Sequence, residues 1–287
     1  MTPPRTESPP ALRTVLWFVA VSSAVLFTTV YILGILTHRG QRVENRLLGS
    51  ANFSAQGREF LHLVTVPNLA LALGALMLVA LIRRRRRTAI QVLVIMGVAN
   101  SITQLLKYHV LQRPDLMGTE AINTFPSGHT VAFASVAISA ILVSPPPARA
   151  IVTALAAVVL GTATFQLLEF GLHRPSDIVG GVLVVTGISA GVQLALPDNA
   201  ASRVPARLPR LHLPVVLALI AAATLGLVVA AVFGIAVLAL RPEDPASRLL
   251  VLGEIGCVLA ALAATAVAYA QGCIADLGKR AATIAVA

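Results

Sequence analysis

Apolar runs close to twenty residues long recur along this chain and leave little choice of architecture. They cover roughly residues 14–37, 61–82, 88–107, 129–145, 150–171, 177–196, 213–240 and 249–272. About 20 apolar residues, each rising about 1.5 Å, carry a helix across the hydrocarbon core of a bilayer. Inside lipid every backbone N–H and C=O needs an internal partner, so only helices and closed barrels cross. The runs do not alternate polar with apolar residues as barrel strands do. The expectation is an all-α fold, a polytopic membrane helical bundle of about eight spans. Charge content agrees: 12% of the 287 residues are charged, against about 25% in a soluble domain.

The runs also divide the chain. A polar, proline-rich tail, 1–13, precedes a six-span core, 14–196. A basic linker, 197–212, leads to a two-span hairpin, 213–272, and a tail, 273–287. The first run exceeds a signal-peptide core of about 7–15 residues and reads as a retained span. The fourth stops at Pro145-Pro146-Pro147, because proline lacks the N–H and clashes with the preceding turn. Ala, Gly and Val fill the spans and let helices approach closely.

The net charge of +10 fits cationic loops that orient helices. No aromatic residues interleave with the basic ones, so the charge does not point to nucleic acid. The five consecutive arginines, Arg83 to Arg87, mark a cytoplasmic loop. Alternation then puts both termini inside and loops 38–60, 108–128, 172–176 and 241–248 outside. Cys257 and Cys273 fall on one run, about 24 Å apart on a helix. They cannot pair, and two thiols make no zinc site.

Two short motifs at span ends share that outer face: Pro126-Ser127-Gly128-His129 and His173-Arg174-Pro175-Ser176-Asp177. Ionisable residues in such places are costly and usually functional. Ser127 and Gly128 open the fourth span, where free N–H groups suit phosphate; the plain alternative is a serine N-cap. His129 can protonate a leaving oxygen. The four-residue spacing of His173 and Asp177 puts both on one helical face if the helix begins there. Asp177 then orients one ring nitrogen and leaves the other to attack phosphorus; a capping pair is the plain alternative. Lys107 and Arg113 can clamp anionic oxygens, or snorkel at the interface.

In order, Lys107…Arg113-Pro114, Pro126-Ser127-Gly128-His129 and His173-x-x-x-Asp177 resemble the motifs of the type-2 phosphatidic-acid phosphatase superfamily, which includes bacterial acid phosphatases and vanadium haloperoxidases. The resemblance covers spans three to six. It implies a six-helix phosphatase core that hydrolyses a phosphomonoester or diphosphate through phosphohistidine, with no metal or other cofactor. His173 is then the nucleophile, Asp177 its orienter and His129 the acid and base. Lys107, Arg113, Ser127 and the Gly128 N–H hold the phosphoryl oxygens.

An amphiphile suits a lipid-embedded site: phosphatidate, polyprenyl phosphate or diphosphate, or a lipid-linked sugar phosphate. Two positions depart from the family pattern. Leu106 stands where its lysine is expected, one residue before Lys107. Gln166 and Leu167 stand where a Ser-Arg pair is expected, removing a phosphate donor. Arg174 is the nearest replacement, with Arg39, Arg42, Arg46 and Arg58 as others. The missing donor favours an alternative, a catalytically weakened phospholipid-binding or transport protein. Glu169 is expected to pair with Arg113 or Arg174.

Overall fold

Helices account for every regular element among the residues that a computed structural model of the chain describes, 10–51, 59–118, 122–197 and 246–286. They are α1 (Pro10–Val30), α2 (His38–Leu48), α3 (Val66–Ile82), α4 (Arg86–Leu105), α5 (Gly128–Val143), α6 (Pro146–Glu169), α7 (Pro175–Ala195) and α8 (Ala246–Val286). Wider π turns extend α1 over Tyr31–Ile35 and α4 over Leu106–Val110. Five stretches are long and apolar enough to cross a membrane: Leu16–Ile35, Arg86–Val110, Pro146–Glu169, Pro175–Ala195 and Leu250–Cys273. Val66–Ile82 and Gly128–Val143 are apolar but shorter. The chain is a helical membrane bundle. The expected run at 213–240 and the 197–212 linker after Pro197 lie outside the described residues. The last helix continues well past residue 272, where the sequence suggested a stop.

Apolar side chains on both sides of the helix wall explain this arrangement. Val66, Leu71, Leu78 and Ile82 of α3 point outward, as lipid-facing residues do. Ile95, Val131, Ile138, Leu160, Val185 and Ala264 meet inside, one core drawn from α4 to α8. Small residues set the spacing. A Cβ on Gly187 of α7 would sit 3.2 Å from the Cβ of Ser23 on α1, so these two helices touch almost backbone to backbone. Cys257 is buried in a second core and makes no disulfide.

The arginine run does more than mark an end. Arg83 donates to the Val143 carbonyl, Arg85 to that of Leu142 at 3.1 Å and Arg87 to that of Pro197 at 2.9 Å. Gln91 donates to the Leu196 carbonyl at 2.7 Å. The last carbonyls of a helix lack intrahelical donors, and this loop together with the start of α4 supplies donors to the end of α5 and to the residues just after α7. Both motifs lie at the opposite end of these helices.

Amphipathic α2 was not among the expected spans. Thr37 caps it by accepting from the Gly40 N–H at 3.0 Å. Gln41, Glu44 and Leu47 are buried, while Arg39, Arg42 and Arg46 are exposed. The helix folds back on the first π turn so tightly that a Cβ on Gly40 would collide with the Leu33 carbonyl and lie 2.7 Å from that of Gly34. Backbone cannot yield as a side chain can. Gly40→Ala is therefore expected to cost about 1–3 kcal/mol. Gly74→Ala, where a Cβ meets nothing within 4 Å, is expected to leave the melting temperature in detergent unchanged or slightly higher. Equal melting of the two variants would show that the turn is not tight.

Candidate active site

At the motif end, α6 stops at a glycine. Gly171 adopts a φ of +66°, a conformation that side chains with a Cβ resist. The Leu172 N–H returns to the Leu167 carbonyl at 3.0 Å and the Gly171 N–H to that of Leu168 at 2.9 Å, the paired closure of a Schellman cap. His173 follows at once, its own N–H on the Leu167 carbonyl at 3.1 Å. Pro175, free of any N–H to satisfy, opens α7.

His173 therefore lies before α7, so the condition for a shared helical face, a helix that begins at His173, is not met. The first turn of α7 turns Asp177 back instead. Its Oδ2 accepts from the Arg174 N–H at 3.0 Å and the Thr124 hydroxyl at 2.5 Å. His173 Nδ1 lies 3.5 Å from the same oxygen. Oδ1 faces Arg113 Nη2 at 3.3 Å. Asp177 is wholly buried and His173 is 7% exposed.

The other motif joins through backbone. The Ser127 N–H donates to the Asp177 carbonyl at 2.8 Å. Gly181 permits this contact, since a Cβ there would lie 3.0 Å from the Ser127 carbonyl oxygen. Ser127 is fully buried, and its Oγ accepts from the N–H and the hydroxyl of Thr130 at 3.2 and 3.0 Å. It is the N-cap of α5, the plainer of its two readings. Gly128 begins the helix, and His129, half-buried, turns its ring edge-on to His173 with centroids 5.8 Å apart. Lys107 is half-buried within the second π turn. It lies within electrostatic reach of His129 and Asp177. A π turn holds an extra residue, and this one joins α4 to the loop that carries Arg113. Tyr108 and His109, in the same turn, are exposed.

Arg113 is held from both sides in sequence. Tyr31 exchanges hydrogen bonds with the N–H and carbonyl of Gln112, at 3.1 and 2.8 Å. Gln41 donates to the Pro114 carbonyl at 2.6 Å. The guanidinium between these anchors is divided: Nη2 faces Asp177, and Nη1 lies 3.5 Å from Glu44 Oε2. Arg174 is 8% exposed and donates to Asn45 Oδ1 at 3.2 Å. Burial, reinforced by the Arg113 charge, lowers it from the ordinary arginine range.

Glu44, Asn45, Gln41, Tyr31 and Thr124 are thus site residues that sequence reading missed. Their one sequence signal is the buried spacing of Gln41, Glu44 and Leu47 within a polar loop. Leu167, where the family pattern expects arginine, is fully buried beside Leu47, Ile178 and Cys257. Glu169 pairs with neither arginine; its carboxyl meets that of Glu254 on α8. Arg39, Arg42 and Arg46 are exposed, and Arg58 lies outside the described residues. No group of three or more His, Cys, Asp and Glu poised for a metal occurs among the described residues.

No protein-family model matches the chain, and neither does any curated protein or solved structure.

Proposed function

We propose that this protein is an integral-membrane lipid phosphatase that works through a phosphohistidine on the extracytoplasmic face. The observation that carries this reading is the buried His173–Asp177 pair with a second imidazole, His129, edge-on across from it. Asp177, its Oδ2 3.5 Å from Nδ1 of His173, orients the ring and leaves Nε2 as the nucleophile. A bond forms from Nε2 to phosphorus as the phosphorus–oxygen bond to the lipid breaks, and His129 gives its proton to the departing oxygen. His129 then takes a proton from water, whose oxygen attacks phosphorus and releases His173 with inorganic phosphate. Lys107, Arg113, Arg174 and the N–H groups at the start of α5 stabilise the phosphoryl charge, the main contribution protein makes to such transfers. The same chemistry serves phosphatidate, polyprenyl phosphates and diphosphates, and lipid-linked sugar phosphates.

The test is phosphate release by purified protein in detergent with excess EDTA, from short-chain phosphatidate and from polyprenyl diphosphate. Release that survives EDTA supports the reading, and the faster substrate names the class. Arg174 takes the part of the donor missing at Leu167, because it adjoins His173 and its buried guanidinium donates to the neutral Asn45 side chain. Arg174→Ala is expected to lower turnover by about 10²–10³-fold. Unchanged turnover and phosphate affinity would remove Arg174 from the site.

A second reading draws on one observation, that Leu167 offers core packing where a phosphate donor is expected. On that reading the protein binds or transports phospholipids without cleaving them. Retained lipid binding with no phosphate release from either substrate would favour it.

A further inference from the structure

One buried ionisable side chain has no part in the chemistry above. Glu44, 6% exposed, comes from α2 rather than from any membrane span. Its Oε1 accepts from the Ser176 N–H at 3.0 Å. Ser176 is the second residue of α7, where backbone N–H groups have no intrahelical partner. Its Oε2 lies 3.5 Å from Arg113 Nη1. A helix N-terminal N–H and a guanidinium are the donors that phosphoryl oxygens take in anion sites. A carboxylate of the protein itself engages them here.

We propose that Glu44 is a positioning residue that reserves Arg113 and the start of α7, and that binding of a phosphoryl group at this site brings a proton onto Glu44. The inference rests on the phosphate-binding part of the proposed function, not on turnover.

Charge bookkeeping supports the coupling. Facing Glu44 are Arg113 from the loop after α4, Asp177 and Arg174 from the start of α7, and Cys257 on α8. His38, Arg39, Arg42 and Arg46 share its helix but lie on the exposed side. Arg113 already divides its charge between two carboxylates. A phosphate added to it meets both negative charges at short range, with little water to screen them. Asp177 has two further hydrogen-bond donors, the Thr124 hydroxyl and the Arg174 N–H, and the His173 ring 3.5 Å away. Glu44 is the carboxylate that can yield. Burial raises it to about 7, against the pull of Arg113 and with help from Asp177. A proton on Glu44 leaves Arg113 one carboxylate fewer and makes the site one unit more positive. The sign follows: phosphate binds more tightly as pH falls through 7, beyond any effect of the phosphate's own ionisation.

The experiment is calorimetric titration of the full chain in detergent with inorganic phosphate, from pH 6 to pH 8. Two buffers of different ionisation enthalpy give the protons taken up per phosphate. The wild type is expected to take up protons beyond those phosphate itself exchanges. Glu44→Gln is expected to lose that excess and to bind up to about tenfold more tightly at pH 8, one pH unit above the ionisation. Weaker binding by E44Q, the same uptake in E44Q, or no excess uptake or phosphate binding in the wild type would each overturn the proposal. The wild-type uptake alone decides the matter if the variant does not fold. Hydrolysis of lipid phosphate with E44Q binding unchanged sinks only this inference. Proton-linked phosphate binding without hydrolysis sinks only the phosphatase reading.

Discussion

Replacing His173 with alanine is expected to reduce phosphate release from lipid phosphates by about 10⁶-fold, the order seen when a nucleophile is lost, while the protein stays folded. The two halves have separate causes. His173 is fixed by its backbone, through the N–H on the Leu167 carbonyl and the cap closed at Gly171. Neither needs the imidazole. Asp177 loses one neighbour and keeps Arg113, Thr124 and the Arg174 N–H. Chemistry has no such reserve, because His129 lies across the site from Asp177 and is not oriented by it. Rapid quenching with labelled substrate should trap an acid-labile phosphoenzyme in the wild type and none in the variant. Undiminished release by His173→Ala would mean that another group attacks phosphorus, and the proposed mechanism would fall.

The second large effect is on stability. Asp177→Ala is expected to destabilise the protein by about 3–5 kcal/mol, the range for breaking a buried ion pair by removing one partner. Arg113, with a side chain 1% exposed, would keep only Glu44. The Thr124 hydroxyl and the Arg174 N–H would lose their acceptor inside the protein, where an unmade hydrogen bond costs the full desolvation of the group. Asp177→Asn keeps the volume and an acceptor oxygen, so it is expected to melt between the alanine variant and the wild type. It should still lose most turnover, since a neutral amide cannot balance a positive His173. Thermal melting in detergent, read beside phosphate release, separates these effects. An alanine variant that melts with the wild type would show that Arg113 finds water or another partner, and the buried network would carry no stability.

The spans were legible because the bilayer demands a length and the backbone demands internal hydrogen bonds, both readable from a run of apolar residues. Ser127 as a cap and the punctuation at Pro145 were legible because they act within a few residues of chain. Gly171 carried a signal too, as a glycine closing an apolar run three residues after Leu168. A single helical face for His173 and Asp177 required the helix to begin at the histidine, and it begins instead at the proline two residues later.

Other features had no local signature. Arg113 looks like a free clamp until α2 brings Glu44 against it from 69 positions earlier. Leu167 looks like a lost donor until Leu47, Ile178 and Cys257 close around it. Glu169 looks like a partner for arginine until α8 sets Glu254 beside it. The apolar pattern and the helix caps are short-range matters of solvation and backbone geometry, so they are written in consecutive residues. Which charges share a buried site depends on how helices distant in the chain pack, because burial removes the water that would otherwise keep such charges independent.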